Sequence, residues 1–112
     1  MLFKGNKAYR SISMSEAVEE LMKDKTVRLL DVRTQGEYRQ GHIPGSINLP
    51  ANRASEITQL VPDKNTRLFV YCQSGGRSQM ACEQLTKLGY SEITSIGGMT
   101  QWRGDIERGE GA

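Results

Sequence analysis

The sequence predicts an α/β fold in which a mostly parallel β-sheet is flanked by helices on both faces. One observation behind this prediction is the alternation of strand-like apolar segments with segments of helical periodicity, joined by short links. A second is the length of 112 residues, which is that of one compact domain able to bury a core without disulfides or a metal. We therefore expect a single domain over residues 1–112.

The first half of the chain is predicted to contain three strands. Ser13 and Glu16 have the spacing of a capping box, which predicts the start of an amphipathic helix over Met14–Lys23. Pro50 closes the third strand and Pro62 ends the helix after it, because proline lacks the backbone N–H that both structures need. The predicted strands cover residues 8–12, 27–32 and 46–49, and the later helices are a single turn from Glu37–Tyr38 and residues 53–61.

The second half of the chain holds the clearest strand, at residues 68–71, where four bulky or β-branched side chains stand between polar segments. A helix over residues 78–88 follows and is expected to end at Gly89, since glycine commonly terminates helices. The remaining predicted segments are a strand at residues 93–96, a break at Gly97–Gly98, a small helix at residues 99–103 and a charged, glycine-rich tail at residues 105–112 that we expect to be frayed.

The charges of the chain nearly cancel, with 15 Lys and Arg against 13 Asp and Glu. Because no basic cluster stands out, we expect no nucleic-acid partner and no membrane partner. No apolar stretch approaches the roughly 20 residues of a membrane span, and the N-terminal segment lacks the apolar core of a signal peptide. These features predict a cytoplasmic protein, and the absence of an evident apolar stripe favours a monomer.

The two cysteines, Cys72 and Cys82, are too few for a disulfide scaffold or a four-cysteine zinc site, and they do not form a CxxC motif. With His42 as the single histidine, neither a structural metal site nor a cofactor is expected. Each cysteine is therefore either reactive or merely buried. Cys82 lies on the apolar face of the predicted helix, where a thiol packs as a small hydrophobic side chain, although a role as a resolving cysteine stays open.

Cys72 stands where a buried strand ends and a glycine-containing loop leads into a helix. A helix N-terminus presents unpaired N–H groups, and glycines allow several amides to turn inward. A thiol in this field is expected to have a lowered pKa and to react as the thiolate; the alternative is a small buried residue beside an ordinary turn. The candidate substrate-binding residues around it are Gln73, Ser74, Gly75, Gly76, Ser78 and Arg77, whose charge suits an oxyanion.

Polar residues outside this loop have less specific interpretations. Asp31 and Arg33, at the end of a predicted strand, either buttress the Cys72 loop through hydrogen bonds or form a local turn and salt bridge. His42 could be a general base but is more simply explained as a structural group in a turn. Trp102 is expected to close the last helix onto the sheet, with a contribution to the pocket wall left open.

Four segments, taken in order, resemble the signatures of the rhodanese family. The sequence LDVR at residues 30–33, followed by Glu37–Tyr38, resembles the first signature, and GHIPGSIN at residues 41–48 closely matches the second. Residues 72–78 resemble the active-site loop, and GGMTQW at residues 97–102 resembles the C-terminal element. Because the four matches occur at fitting distances over nearly the whole chain, the sequence is identified as a member of that family.

The resemblance implies a transferase of the thiosulfate sulfurtransferase type, built on a five-stranded parallel sheet. In that family the loop cysteine attacks the sulfane sulfur of a small anionic donor such as thiosulfate, sulfite leaves, and a persulfide remains on the enzyme. An acceptor, which is cyanide in the assay or a thiol or protein in the cell, then takes the sulfur. For this chain the resemblance makes Cys72 the nucleophile and Arg77 a holder of the donor.

Two other functions stay open. A non-catalytic rhodanese-like module would bind or regulate partners, but such modules commonly lack the loop cysteine. A phosphatase or arsenate reductase of related fold is disfavoured because four residues separate Cys72 from Arg77, one fewer than in phosphatase loops. Gln73 stands where many relatives carry Arg or Lys, which leaves Arg77 as the only cation of the loop and weakens the expected preference for thiosulfate.

Overall fold

The computed structural model describes residues 9–110, which fold around a five-stranded sheet with parallel pairing throughout. The strands are β1 Arg10–Ser11, β2 Arg28–Asp31, β3 Ile47–Asn48, β4 Leu68–Cys72 and β5 Ile93–Gly98. The α-helices are α1 Met14–Lys23, α2 Gln35–Gln40, α3 Ile57–Leu60 and α4 Gly76–Lys87, with 3-10 helices at Ala51–Glu56 and Met99–Gln101. The strand order is β1-β5-β4-β2-β3, and the predicted α/β class is confirmed.

The central strand, β4, is buried over all five of its residues. It pairs with β2, with Val70 opposite Leu30, and with β5, with Cys72 opposite Gly98. Because the strands are parallel, the carboxyl ends of β2, β4 and β5 lie at one edge of the sheet. Asp31, Cys72 and Gly98 therefore meet at the edge where ligands commonly bind in α/β proteins.

Both faces of the sheet are covered, because successive strand residues point to opposite sides. One face forms a buried cluster with side chains of α3 and α4, which contains Leu30, Ile57, Leu68, Val70, Ala81 and Leu85. The other face forms a cluster with α1, which contains Met14, Ala17, Leu29, Phe69, Tyr71 and Ile96. The prediction of helices on both faces is confirmed.

The first two helices begin at capping boxes. In α1 the Glu16 N–H donates to Ser13 Oγ at 3.1 Å and the Ser13 N–H donates to Glu16 Oε1 at 3.0 Å, as the spacing predicts. In α2 the same pattern links Thr34 and Glu37, so this helix begins at Gln35, before the predicted start.

Within residues 9–110, no helix combines the length and the apolar character needed to cross a membrane.

The start of α4 and the end of β5 differ from the prediction, the first because of a glycine backbone angle and the second because of strand pairing. Gly75 takes a φ of +111°, in the left-handed region that glycine favours, and turns the loop directly into α4 at Gly76, two residues earlier than predicted. The predicted break at Gly97–Gly98 is instead the end of β5, because Gly98 pairs with Cys72 of the neighbouring strand.

Three further segments differ from the prediction. Residues 53–61 do not form one helix, because Arg53 has non-helical backbone angles within the 3-10 segment Ala51–Glu56 and α3 covers only Ile57–Leu60. The small helix at residues 99–103 is a 3-10 helix of three residues. The edge strand predicted at residues 8–12 is reduced to two residues, and residue 8 lies outside the described part of the chain.

The tail after residue 105 is attached to the fold as far as residue 110, unlike the frayed end that the composition suggests. His42 and Glu107 exchange backbone hydrogen bonds of 2.9 Å in an antiparallel bridge. The Gly109 N–H donates to the carbonyl of Arg39 at 2.8 Å. These backbone contacts satisfy polar groups of both segments and hold the tail against the turn around His42. Residues 111–112 lie outside the described part.

Candidate active site

The thiol of Cys72 lies at the carboxyl end of β4, under the loop that leads into α4. The residue is only 1% exposed, and its Sγ accepts a hydrogen bond from the Gly75 N–H at 2.9 Å. No side chain caps the start of α4, so the first amides of this helix remain available. The positive φ of Gly75 then directs the chain after it into α4. The loop therefore surrounds the sulfur with backbone donors.

These donors determine the acidity of the thiol. Burial raises the pKa of Cys72, but backbone N–H groups of Ser78, Gly75 and Ser74 and the Ser78 hydroxyl outweigh burial and leave this pKa below its ordinary value. Hydrogen bonds to the charged form favour the thiolate, which is the nucleophilic form of cysteine. The Ser78 hydroxyl has one proton, which it donates either to the sulfur or, over 2.8 Å, to the Gly75 carbonyl, where it closes the loop.

Arg77 is paired with an acidic residue that the sequence analysis did not assign to the site. Its Nη1 and Nη2 donate to the two carboxylate oxygens of Glu37 at 2.7 and 3.0 Å. The Arg77 guanidinium lowers the pKa of Glu37 to about 2, and Thr34 contributes to the same shift. Arg77 is the only cation of the loop, and Glu37, which lies outside the loop, compensates its charge. In the sequence, Thr34 and Glu37 have the spacing of a capping box, which indicates that Glu37 lies in the first turn of a helix.

Asp31 and Arg33 form a salt bridge, and Arg33 also contacts the loop, whereas the Asp31 carboxylate accepts its hydrogen bonds from Arg33. Arg33 Nη2 donates to Asp31 Oδ2 at 2.7 Å, and both side chains are buried. Arg33 Nη1 donates to Gln73 Oε1 at 3.2 Å, and Nη2 donates to the Gly41 carbonyl at 2.7 Å. Arg33 thus connects the loop to the turn that begins at Gly41, while the exposed Gln73 is held through its side-chain oxygen.

The loop packs directly against the end of β5. A Cβ on Gly98 would lie 2.2 Å from the Gln73 carbonyl oxygen and 2.8 Å from the Ser74 nitrogen, so only glycine leaves room for the loop backbone. The Thr100 N–H donates to the same Gln73 carbonyl at 3.2 Å. The position of Gly98 after a predicted strand contains no local signal of this close approach, which depends on the neighbouring strand β4.

His42 is fully buried and has structural partners. Its ring stacks on that of Tyr38 with centroids 3.6 Å apart, Nδ1 lies 2.7 Å from the Tyr38 carbonyl oxygen, and Nε2 lies 3.3 Å from Glu107 Oε1. These contacts hold the turn and the tail together. Trp102 packs against the buried cluster on the α1 side of the sheet. Over the described range, 9–110, no group of three or more His, Cys, Asp or Glu residues is arranged to hold a metal ion.

Cys82 differs sharply from Cys72. It is fully buried within the apolar cluster under α4, and burial, with a smaller contribution from the charges of Cys72 and Glu83, raises its pKa to about 12. A thiol with this pKa is almost entirely protonated at neutral pH. The structure therefore places a small hydrophobic side chain at this position.

The chain is similar to known proteins over most of its length. The Rhodanese-like domain model matches residues 14–105. The thiosulfate sulfurtransferase PspE of Escherichia coli K12 is 41% identical over 71 residues, which cover 62% of this chain and 68% of that protein. The adenylyltransferase and sulfurtransferase uba4 of Ogataea parapolymorpha is 37% identical over 92 residues, which cover 81% of this chain and 24% of that protein.

Solved structures agree with these sequence matches. A structure described as a rhodanese with anions from E. coli is 34% identical, superposes with a TM-score of 0.70, and is covered over 99% of its length by 74% of this chain. The lengths of the relatives nevertheless differ, since the chain spans about a quarter of the Ogataea protein and about two thirds of the E. coli sulfurtransferase.

Proposed function

The chain belongs to the rhodanese-like domain family, and from this membership we propose that it is a sulfurtransferase that carries sulfur as a persulfide on Cys72. The observation that supports this most directly is the 2.9 Å hydrogen bond from the Gly75 N–H to the Cys72 sulfur. Together with the Ser74 and Ser78 amides, this donor stabilises negative charge on a buried sulfur. The same donors suit the negative charge of a persulfide, which a sulfur carrier must hold between two half-reactions.

In the first half-reaction, the Cys72 thiolate attacks the outer, sulfane sulfur of an anionic donor such as thiosulfate. A new S–S bond forms on Cys72, the S–S bond of the donor breaks, and sulfite leaves with the bonding electron pair. Because the loop donors lower the pKa of Cys72 and favour its thiolate, we propose that this step relies on them rather than on a general base. This fits a loop whose hydrogen-bond donors are amides and a hydroxyl.

In the second half-reaction, a thiophilic acceptor such as cyanide or a cellular thiol attacks the outer sulfur of the persulfide. The S–S bond to Cys72 breaks, and the electron pair returns to the Cys72 sulfur. The regenerated thiolate is again stabilised by the amides of Gly75 and Ser78. The loop therefore stabilises both the starting and the intermediate form of the enzyme, and no redox cofactor takes part in the cycle.

Arg77 is proposed to orient the oxygen atoms of the donor. Its side chain is 38% exposed and can reach a ligand at the surface of the loop. The bidentate pair with Glu37 holds the planar guanidinium in one orientation and also compensates its charge. Because Glu37 compensates the charge of Arg77, phosphatase activity is disfavoured, since a phosphate dianion requires a strongly positive loop.

The test compares wild type with Cys72→Ser, and with Cys82→Ala as the matched control, in thiocyanate formation from thiosulfate and cyanide. We expect Cys72→Ser to lower the rate at least about a thousandfold, because the nucleophile is lost. Cys82→Ala should retain most of the activity, since this thiol is protonated and packed in the core. Equal thiocyanate formation by wild type and Cys72→Ser would contradict the proposal.

Mass spectrometry provides the second readout. After incubation with thiosulfate and removal of the donor, wild type and Cys82→Ala should carry one added sulfur on Cys72, and Cys72→Ser should carry none. A protein that binds donors but never gains sulfur would instead be a binding module. Hydrolysis of an aryl phosphate that depends on Cys72 would favour the phosphatase alternative.

A further inference from the structure

A cavity of about 510 Å³ lies on the side of the sheet that is covered by α1, and its size is within the range of small-molecule sites. It is bounded by the end of α1, the start of β2, the turn at residues 43–45 and the segment at residues 102–105. None of its lining residues belongs to the loop at residues 72–78 or to α4, and Cys72 belongs to the buried cluster on the other side of the sheet. The cavity is therefore separate from the candidate active site.

The floor of this cavity is apolar. Leu29 and Ile43 are buried in the cluster on the α1 side of the sheet. Leu21, Val27 and Trp102 are half-buried and pack against the same cluster. Because an apolar group placed in the cavity would be removed from water together with these side chains, the hydrophobic effect favours a ligand with an apolar body.

The indole ring of Trp102 forms an aromatic wall with a fixed orientation. Its Nε1–H donates to the Asp105 carbonyl at 2.8 Å. Gly104 lies beside the six-membered ring, since a Cβ on this glycine would be only 2.5 Å from Trp102 Cζ2. Part of the indole stays accessible from the cavity. Since aromatic rings attract one another in offset and edge-to-face arrangements, in addition to the burial of their area, this wall favours an aromatic ligand.

Two cationic side chains line the cavity without a partner. Lys25 and Arg28 are both exposed, and the side chain of neither forms an ion pair or a hydrogen bond within residues 9–110. An unpaired guanidinium presents a planar fork of donors that matches the two oxygens of a carboxylate. The ammonium of Lys25 adds a second positive charge to the same lining.

The acidic residues of the lining do not cancel these two charges. The Asp24 carboxylate already has partners, because it accepts from the Thr26 N–H at 2.9 Å and from Arg67 Nη1 at 2.8 Å. Asp105 is exposed, and its carboxylate forms no ion pair in the described part of the chain. Two unpaired cations therefore stand against one unpaired carboxylate, so the lining keeps a net positive charge that suits a monoanion.

We propose that this cavity is a binding site for a small aromatic carboxylate. The ring of the ligand packs on the apolar floor and against Trp102, and its carboxylate pairs with Arg28 and is attracted by Lys25. A cationic ligand would be repelled by the two unpaired cations, and an uncharged one would gain nothing from them. The inference does not depend on the proposed sulfurtransferase function, because the cavity and the loop around Cys72 share no residue.

The binding test titrates 2-naphthoate into ¹⁵N-labelled protein and follows the indole N–H resonance of Trp102. This resonance needs no assignment, because the chain contains one tryptophan. We expect a saturable shift with a Kd of about 1 mM or lower. The neutral 2-naphthamide, which has nearly the same shape, should bind about tenfold more weakly because it cannot pair with the cations.

Three variants test the contribution of charge. Arg28→Gln should weaken the binding of 2-naphthoate about fivefold at low salt, and the loss should shrink at high salt because exposed charges are screened. Asp105→Asn should tighten binding about twofold, since it removes a carboxylate and keeps the backbone carbonyl that holds Trp102. Lys87→Gln removes an exposed cation of α4 that does not line the cavity, and as the matched control it should leave the Kd unchanged.

Four results would overturn the inference. The first is an indole resonance that does not move, and the second is equal affinity for 2-naphthoate and 2-naphthamide. The third is weaker binding by Asp105→Asn, which would indicate a preference for cations. The fourth is an equal loss in Arg28→Gln and Lys87→Gln, which would reflect the net charge of the protein rather than a site.

The sulfur-transfer assay separates this inference from the proposed function. Arg28→Gln should form thiocyanate at the wild-type rate, because the residue lies outside the loop that holds Cys72. A lower rate in this variant would mean that Arg28 serves the reaction at Cys72, and it would overturn the assignment of a separate site. A wild-type protein that binds 2-naphthoate at Trp102 but transfers no sulfur would support this inference and contradict the proposed function.

Discussion

The two cysteines lie ten residues apart and are almost equally buried, yet their thiols have opposite character. Burial raises the pKa of Cys82 to about 12, whereas at Cys72 the same influence is outweighed by the amides of Ser78, Gly75 and Ser74. Exposure therefore does not distinguish a reactive thiol from an inert one in this fold. The number of hydrogen-bond donors aimed at the sulfur does.

The backbone explains the difference. Cys72 precedes the first turn of α4, where amides have no partner within the helix. Cys82 lies inside the same helix, where the amides donate to carbonyls one turn earlier. The pKa of Cys82 is therefore set by burial in the apolar cluster and by the charges of Cys72 and Glu83.

Gly98→Ala should have the largest effect on the difference between the two thiols, because the new Cβ would lie 2.2 Å from the Gln73 carbonyl oxygen and force the loop to move. We expect sulfur transfer to fall about a hundredfold. The pKa of Cys72 should rise toward that of a free thiol as the amides leave the sulfur. Gly36→Ala is the control, since a Cβ there has no neighbour within 4 Å. The same rate in both variants would contradict the role assigned to Gly98.

Ser78→Ala should weaken the donors without displacing the loop backbone. Loss of the hydroxyl that stabilises the thiolate should raise the pKa of Cys72. A raised pKa leaves less thiolate at neutral pH, so transfer should be slower at pH 7, by up to about tenfold, and should recover at alkaline pH. A pH–rate profile measures the shift, with Ser91→Ala, at an exposed serine, as the control. An unshifted profile would assign the Ser78 hydroxyl to loop closure alone.

Glu37→Gln tests whether the charge of Arg77 affects the binding of the sulfur donor more than it affects the pKa of Cys72. The substitution removes the compensating carboxylate but keeps a side chain that can complete the capping box of α2. We expect the KM for thiosulfate to fall roughly threefold, because the dianion then meets an unpaired cation. The pKa of Cys72 should change less than in Ser78→Ala. Glu56→Gln, which breaks the exposed pair with Arg53, should change neither quantity.

Cys82→Ala should have the smallest effect, on stability in alkaline solution. The folded-state pKa of Cys82 lies above its unfolded value, so its contribution is complete at neutral pH and is lost as pH rises. Above about pH 9 the free energy of unfolding should fall by at most about 1.4 kcal/mol per pH unit from this group. Urea denaturation at several pH values should show a shallower fall in Cys82→Ala. Identical slopes would mean that the thiol ionises freely in the folded protein.

The fold class and the start of α1 were predictable because their causes are local. The alternation of strand and helix patterns predicts the α/β class, and the spacing of Ser13 and Glu16 predicts the start of α1. The boundaries at Gly75 and Gly98 were less predictable. The start of α4 depends on the backbone angle of Gly75, which turns the loop into the helix. The end of β5 depends on the pairing of Gly98 with Cys72 of β4, a strand distant in sequence.

The sequence by itself determined the family, the parallel sheet and the position of Cys72 before a glycine-containing helix start. Only the tertiary structure decided which side chains surround the loop. Arg77 meets Glu37 and Arg33 meets Gln73 across separations of 40 residues, and the loop rests on Gly98 because β4 and β5 are neighbours. Such contacts depend on how the strands are ordered and packed, which no local pattern specifies.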